Sequence, residues 1–189
     1  DGGGRAAHFL GALMSSSVFS KDHPIKLLVD TNIWLDYFLS RSTRHTSVNA
    51  FIAGAIHRED IVLYTASLSL KDLAYQLANL MKKDARDAKK PITPEVAAAA
   101  REVSWACVRD VLGKALVAPV GNAEVLGAFT LRHLHDDLED DLMLATAESI
   151  DADALVTHDA ALLKHAEDLC ITTEEGLELL AELAERDEA

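Results

Sequence analysis

Cysteine is scarce in this chain: two residues in 189, Cys107 and Cys170, far apart and each inside an apolar periodic segment. That argues against a disulfide scaffold and fits packed thiols in a reducing compartment, so the expected location is cytoplasmic. Positive charge is short as well. Eighteen Lys and Arg stand against 31 Asp and Glu, a net charge of −13 spread along the chain rather than gathered in a tail. Wholesale electrostatic capture of nucleic acid is not expected from such a chain, and any nucleic-acid contact has to be local or bridged by metal ions. An acidic surface also suits a basic partner. No apolar run reaches the length of about 18 residues that a membrane span needs, so no membrane role is expected. The stretch HFLGALMSSSVF near the start has neither the basic n-region nor the small-x-small cleavage site of a secretory signal.

What the sequence has is 49% hydrophobic content in regular periods, enough to bury a full core in one domain. Residues 1–23 are expected to form a flexible or loosely docked arm, 24–175 the domain itself and 176–189 an acidic C-terminal helix. Ile25 to Val29 (IKLLV) and Ile61 to Thr65 (IVLYT) are continuous apolar runs too short for helices, and they read as buried parallel strands. Ala115 to Val120 (ALVAPV) is a third strand whose proline suggests an edge or a strand end. Ala152 to Thr157 (ADALVT) is a fourth, and LCIT a fifth. Helical patterns lie between them. Thr93 and Pro94 mark a strong helix start, Asn122 is expected to cap another, and the acidic run before Leu142 opens a third. Strands alternating with helices predict a three-layer α/β/α fold with a mostly parallel sheet of four to five strands.

In such a sheet, ligands sit beyond the carboxyl ends of the strands, where the strand order reverses. Asp30 stands at the end of the first strand, and Asp159 two residues past ALVT. A single Asp in such a place is an ordinary helix cap; two that converge on one crevice point further. Five acids fall within Asp136 to Asp141. At about 100° per residue, Asp140 shares an arc with Met143, Leu144 and Ala147, whereas Asp141 shares one with Asp137 and Glu148. Asp140 is therefore expected to face inward. Asp136, Glu139 and Asp141 are expected to form a solvated first turn favoured by the helix dipole. Asp72, in SLSLKDL, is a further acid in the first turns of a helix, with Lys71 beside it to neutralise it. Hard oxygen ligands in an open cluster suit Mg²⁺ or Mn²⁺, which keep waters for chemistry.

These segments, VDTN (Val29 to Asn32), the acid of SLSLKDL, DLEDDLMLATA (Asp137 to Ala147) and VTHD (Val156 to Asp159), resemble in their order the four-part signature of the PIN domain. The resemblance spans roughly Ile25 to Thr173. It implies a metal-dependent nuclease, many members being the ribonuclease toxins of VapBC toxin–antitoxin pairs. Carried over by position, it implies catalytic roles for Asp30, Asp72, Asp140 and Asp159, with metal ligation by Asp30, Asp140 and Asp159. Asp72 stands where the family usually has Glu, a reach shorter by one methylene. Asn32 and Thr157 match the polar residues beside the acids. Asp137 and Asp141 are the alternatives should the register differ. The family often has Arg where this chain has His158, so the resemblance supplies no phosphate contact there. Implied partners are RNA, an antitoxin protein and a second copy of the chain in a homodimer.

Other patterns compete. His133 and His135 fit the spacing of a zinc hydrolase, but Leu138 occupies the place of its next histidine, and both lie at a helix end where the dipole favours imidazolium. The run KKDARDAKK (Lys82 to Lys90) reads first as a solvated helix end or loop, with RNA contact as its competing use. Trp34, Tyr37 and Phe38 read as core or dimer surface. A PIN-like binding module without activity, acting through oligomerisation or a partner, is the alternative to an enzyme.

Overall fold

The computed structural model describes residues 11, 23–40, 42–133 and 137–188. Its centre is a sheet of five strands: β1 (Ile25–Val29), β2 (Ile61–Ala66), β3 (Leu116–Ala118), β4 (Ala154–Val156) and β5 (Cys170–Ile171). They lie in the order β3-β2-β1-β4-β5, with every pairing parallel. Eight helices are described: α1 (Thr31–Phe38), α2 (His45–Ile56), α3 (Ser67–Asp87), α4 (Pro94–Leu112), α5 (Asn122–Leu131), α6 (Leu138–Ser149), α7 (Ala160–His165) and α8 (Thr173–Asp187). The expected three-layer α/β/α architecture is what these elements form.

Side chains alternate across a strand, so a central strand buried on both faces is nearly continuous in apolar residues; in β1 only Lys26 departs, its ammonium reaching Ile150 O at 2.8 Å. In β1, Ile25, Leu27 and Val29 point to one layer, where they meet Trp34, Phe51, Ile52, Leu73 and Leu179 from α1, α2, α3 and α8. Leu28 points to the other, where it meets Leu155, Met143, Leu144, Ala147 and Leu162 from β4, α6 and α7. Leu27, Leu28 and Val29 of β1, and Asp30 just after it, are all buried. Trp34 is fully buried, and Tyr37 and Phe38 pack against the same core, with Tyr37 edge-on to both aromatic neighbours.

The local signals act as their chemistry requires. Thr93 Oγ1 accepts the Val96 N–H at 3.3 Å, and Pro94 opens α4. β3 sits at the sheet edge, immediately before Pro119. α5 departs from expectation at its start: Gly121 is the capping position and Asn122 the first helical residue, because Glu124 reaches back to accept the Gly121 N–H at 2.7 Å. β4 is also shorter than ADALVT, since Ala152 N–H still bonds Ala147 O at the end of α6. α8 seats on α2, with Gly176 lying under the ring of Phe51.

The topology positions the site. From β1 the chain winds outward through β2 to β3, whereas β4 and β5 lie on the other side. The order therefore reverses between β1 and β4, and a crevice opens at their carboxyl ends.

Candidate metal-binding crevice

Asp30 ends β1 and caps α1, and its N–H donates to Val156 O at 3.0 Å, tying the tips of the two central strands together. Its carboxylate is held from three sides. Oδ1 accepts the Thr31 N–H, while Oδ2 accepts from Asn32 Nδ2 and from Thr157 Oγ1, both at 2.7 Å. Thr157 is a hub: its oxygen also accepts from Asn32 Nδ2 at 3.0 Å and from the Asp159 N–H at 3.0 Å. Asn32 Oδ1 in turn accepts the His158 N–H at 3.1 Å. Two short motifs, far apart in sequence, thus lock one carboxylate in place.

The crevice around it has a volume of about 250 Å³, and its carboxylates are Asp30, Asp137, Glu139, Asp140 and Asp159. Thr31, Asn32 and Gln76 also line it. Burial raises the Asp30 pKa from 3.8 to about 6, against the pull of its hydrogen bonds, and the nearby Asp140 and Glu139 charges add to the rise. Partial burial likewise raises Glu139, helped by Asp72, Asp137 and Asp140. A carboxylate cluster of this kind is unfavourable unless a cation joins it.

Of the residues singled out in the sequence, Asp30, Asp140 and Asp159 share the crevice, with Asn32 in its lining and Thr157 beneath it. Asp159 Oδ1 also caps α7, accepting the Ala161 N–H at 2.7 Å and the Leu162 N–H at 3.1 Å. Asp72 does not line the crevice. It forms an ion pair with Lys71 at 2.8 Å, one helical turn before Gln76, which does. Asp137 lies in the lining while Oδ1 caps α6 by accepting the Glu139 N–H at 2.9 Å. His158 turns away: Nδ1 lies 3.1 Å from Asp36 Oδ2 and Nε2 2.8 Å from Thr173 Oγ1, clamping α1 to the start of α8. Burial lowers its pKa, so the neutral ring with its proton on Nδ1 satisfies both contacts. His133 is exposed with Nδ1 on Thr130 O; His135 and Asp136 lie outside the described residues.

One expectation about the acidic run is corrected. Asp141 is not solvated: it is only 2% exposed and faces the α5 side, beside Ala128, Phe129, Arg132 and Leu138. The single-face helix assumed from the arc argument is wrong because α6 is covered twice, by the sheet and by α5. Glu139 is exposed in the first turn of α6, as expected, and it also lines the crevice, where its charge is felt at Asp30. Thr31 was missed altogether. Its Oγ1 is buried on the crevice lining and has no hydrogen-bond partner among the described residues.

A model of the PIN domain matches residues 26–161. The chain belongs to the PIN domain family. Members of this family are nucleases, which generally use divalent metal ions. Among solved structures, this PIN domain is similar to VapBC2 from Rickettsia felis bound to a DNA fragment from its promoter. The identity is 14%, over 78% of this chain and 98% of that one, with a TM-score of 0.53. It is similar to a toxin–antitoxin complex from Klebsiella pneumoniae at 15% identity, over 78% and 97% of the two chains, with a TM-score of 0.52. VapC20 from Mycobacterium tuberculosis, a toxin that cleaves the sarcin–ricin loop, gives 16% identity over 75% and 93%, with a TM-score of 0.51. At these identities the likeness is one of fold. No curated protein matches the sequence.

Among the described residues the lining offers carboxylate, amide and hydroxyl oxygens and no thiol or imidazole, a donor set that fits a hard divalent cation. Among the described residues, no group of three or more His, Cys, Asp or Glu side chains stands close enough together to hold a metal ion as placed; the carboxylates line an open crevice.

Proposed function

We propose that this PIN domain is a ribonuclease that hydrolyses RNA phosphodiester bonds with Mg²⁺ or Mn²⁺ and leaves a 5′-phosphate. The observation that carries the reading is the buried Asp30 carboxyl, raised to about 6 within a crevice of further acids. Asp30, Asp140 and Asp159 would hold the ion. When bound, a divalent ion supplies a water of lowered pKa and positive charge beside the reacting phosphate. The chain supplies the positioning. Thr157 and Asn32 fix the Asp30 Oδ2, and the Asp159 N–H on Thr157 extends that fixation to Asp159, just past β4. Without a cation the acids repel the RNA backbone, so loading the ion is also what admits the substrate.

The likeness to the VapBC complexes supports a further element of the proposal, that the nuclease is the toxin of such a pair and is held by an antitoxin chain. The net charge of −13 suits a basic segment on that partner.

Mg²⁺ or Mn²⁺ is expected to raise the melting temperature saturably and to switch on cleavage of RNA. Asp30→Asn and Asp140→Asn are expected to remove both effects. Loss of a supporting partner around a metal typically costs 10–100-fold, so loss of a ligand should cost at least about 100-fold in activity. Melting that ignores metal, together with no cleavage at any metal concentration, would sink the nuclease reading in favour of a binding module.

A further inference from the structure

The run KKDARDAKK alternates its charges in sequence, yet it ends the 21-residue helix α3, whose first turns stand beside the crevice. Winding at about 100° per residue sorts the charges. Taking Asp72 as the reference direction, Gln76, Lys83 and Arg86 fall within about 40° of it, and Tyr75 and Lys82 within about 80° on one flank. Asp84 falls at about 120°, on the side of Leu73 and Leu77 and away from Lys82 and Arg86, and is itself exposed at this end of the helix. Asp87 lies at about 60°, on the flank opposite Tyr75 and Lys82. A mixed sequence thus becomes a mainly basic strip that starts at Gln76 in the crevice lining and runs about 15 Å to Arg86.

Tyr75 is 68% exposed at the crevice end of this strip. Lys83 and Arg86 are exposed, and none of Lys82, Lys83 and Arg86 makes an ion pair among the described residues. In a chain of net charge −13, unengaged cations gathered on one face beside a candidate phosphodiesterase crevice are complementary to a polyanion. An exposed aromatic beside a basic path is the combination that binds single strands, with bases stacked on the ring and phosphates on the cations.

We propose that this face of α3 is the track along which a single-stranded stretch of the substrate reaches the crevice, with Tyr75 as a stacking platform and Lys82, Lys83 and Arg86 as phosphate contacts. The proposal rests on the nuclease reading for its direction of travel, but its binding claim is measured separately. The probes are a fluorescein-labelled oligoadenylate RNA and the DNA oligomer of the same sequence, used with the full chain in Mn²⁺. Anisotropy reads binding, and a cleavage assay separates KM from kcat.

Lys83→Glu with Arg86→Glu is expected to raise Kd and KM about tenfold or more and to leave kcat within about twofold. The slope of log Kd against log salt should shrink by about 1.4, at about 0.7 per single-strand phosphate contact. Tyr75→Ala should weaken binding about tenfold, and Tyr75→Trp should restore it. Lys164→Glu, a reversal on exposed α7, is expected to change nothing and serves as the control. Dependence on the strip with either oligomer supports the track, and the tighter of the two identifies the strand. If the wild type binds through the strip but cleaves nothing, the track stands and the nuclease reading fails. If it cleaves while the reversals leave KM and Kd at the control values, the track is overturned and the nuclease reading stands. A Tyr75→Ala variant that changes the oligomeric state in light scattering, with Kd unaltered, also overturns the track and makes the face a protein interface.

Discussion

Asp30 concentrates the tension of the site in one carboxyl group. It lines the crevice at the tips of β1 and β4 with 8% of its surface exposed, accepts three hydrogen bonds, and still has its pKa raised to about 6, because burial outweighs them and Asp140 and Glu139 add repulsion. The folded chain therefore keeps the Asp30 proton to a higher pH than the unfolded chain, where 3.8 is the ordinary value. Between about pH 4 and 6 the native state binds more protons, so this group's contribution to stability falls as pH rises through that window and stays low above it. The loss amounts to at most about 3 kcal/mol, at about 1.4 kcal/mol per unit. Asp30→Asn removes the titration. Urea unfolding of both proteins without metal should show the wild type losing about 2–3 kcal/mol relative to the variant between pH 4 and 7, with Mn²⁺ restoring the wild type alone. A constant difference across that range would mean that Asp30 is not desolvated. Asp30 was legible because a second strand-end acid, Asp159, converges on the same crevice, where one alone would have read as a helix cap. Asp141 was not legible: nothing within its own helix announces that α5 covers that side.

At the scale of elements, the junction of α2 and α8 offers a paired test. A Cβ built on Gly176 would lie 2.6 and 2.8 Å from ring carbons of Phe51, which is fully buried and cannot retreat. A Cβ on Gly54 would lie 2.7 Å from Leu180 Cδ1, the free end of a half-buried side chain that can rotate away. Gly176→Ala should destabilise by about 1–3 kcal/mol, as overpacking does. Gly54→Ala should be close to neutral, its clash offset by up to about 1 kcal/mol of helix propensity. Urea unfolding of the two variants checks both, and equal costs would contradict this seating of α8. The elements read best from sequence were those with self-contained signals, such as the apolar run of β1 and the Thr93–Pro94 start of α4. The place of Glu139 at the crevice was not legible in the acidic run that opens α6, for a tertiary reason. Its direction depends on the crevice in front of it, and the crevice is made by β1 and β4.

Over the whole molecule, the alternation of strands and helices was legible because every central strand is buried on both faces and so cannot hide in a mixed pattern. The net charge of −13 then sets two opposed responses to salt. Excess negative charge repels itself in the compact state, so screening should stabilise the metal-free fold. The basic face of α3, by contrast, releases counterions when it binds a strand, so the same salt should weaken binding. Raising NaCl from about 50 to about 300 mM, a span over which the Debye length falls from about 14 to about 6 Å, should therefore increase the melting temperature while it raises Kd for the oligoadenylate. Both are measured on one preparation, by thermal shift and by anisotropy. A melting temperature that falls with salt would mean that attractive pairs, such as Arg58 with Asp60 at 2.7 Å and Asp187 at 2.9 Å, outweigh the surplus charge. A Kd indifferent to salt would remove the electrostatic basis of the track and leave only the crevice acids, through their cation, to hold the phosphates.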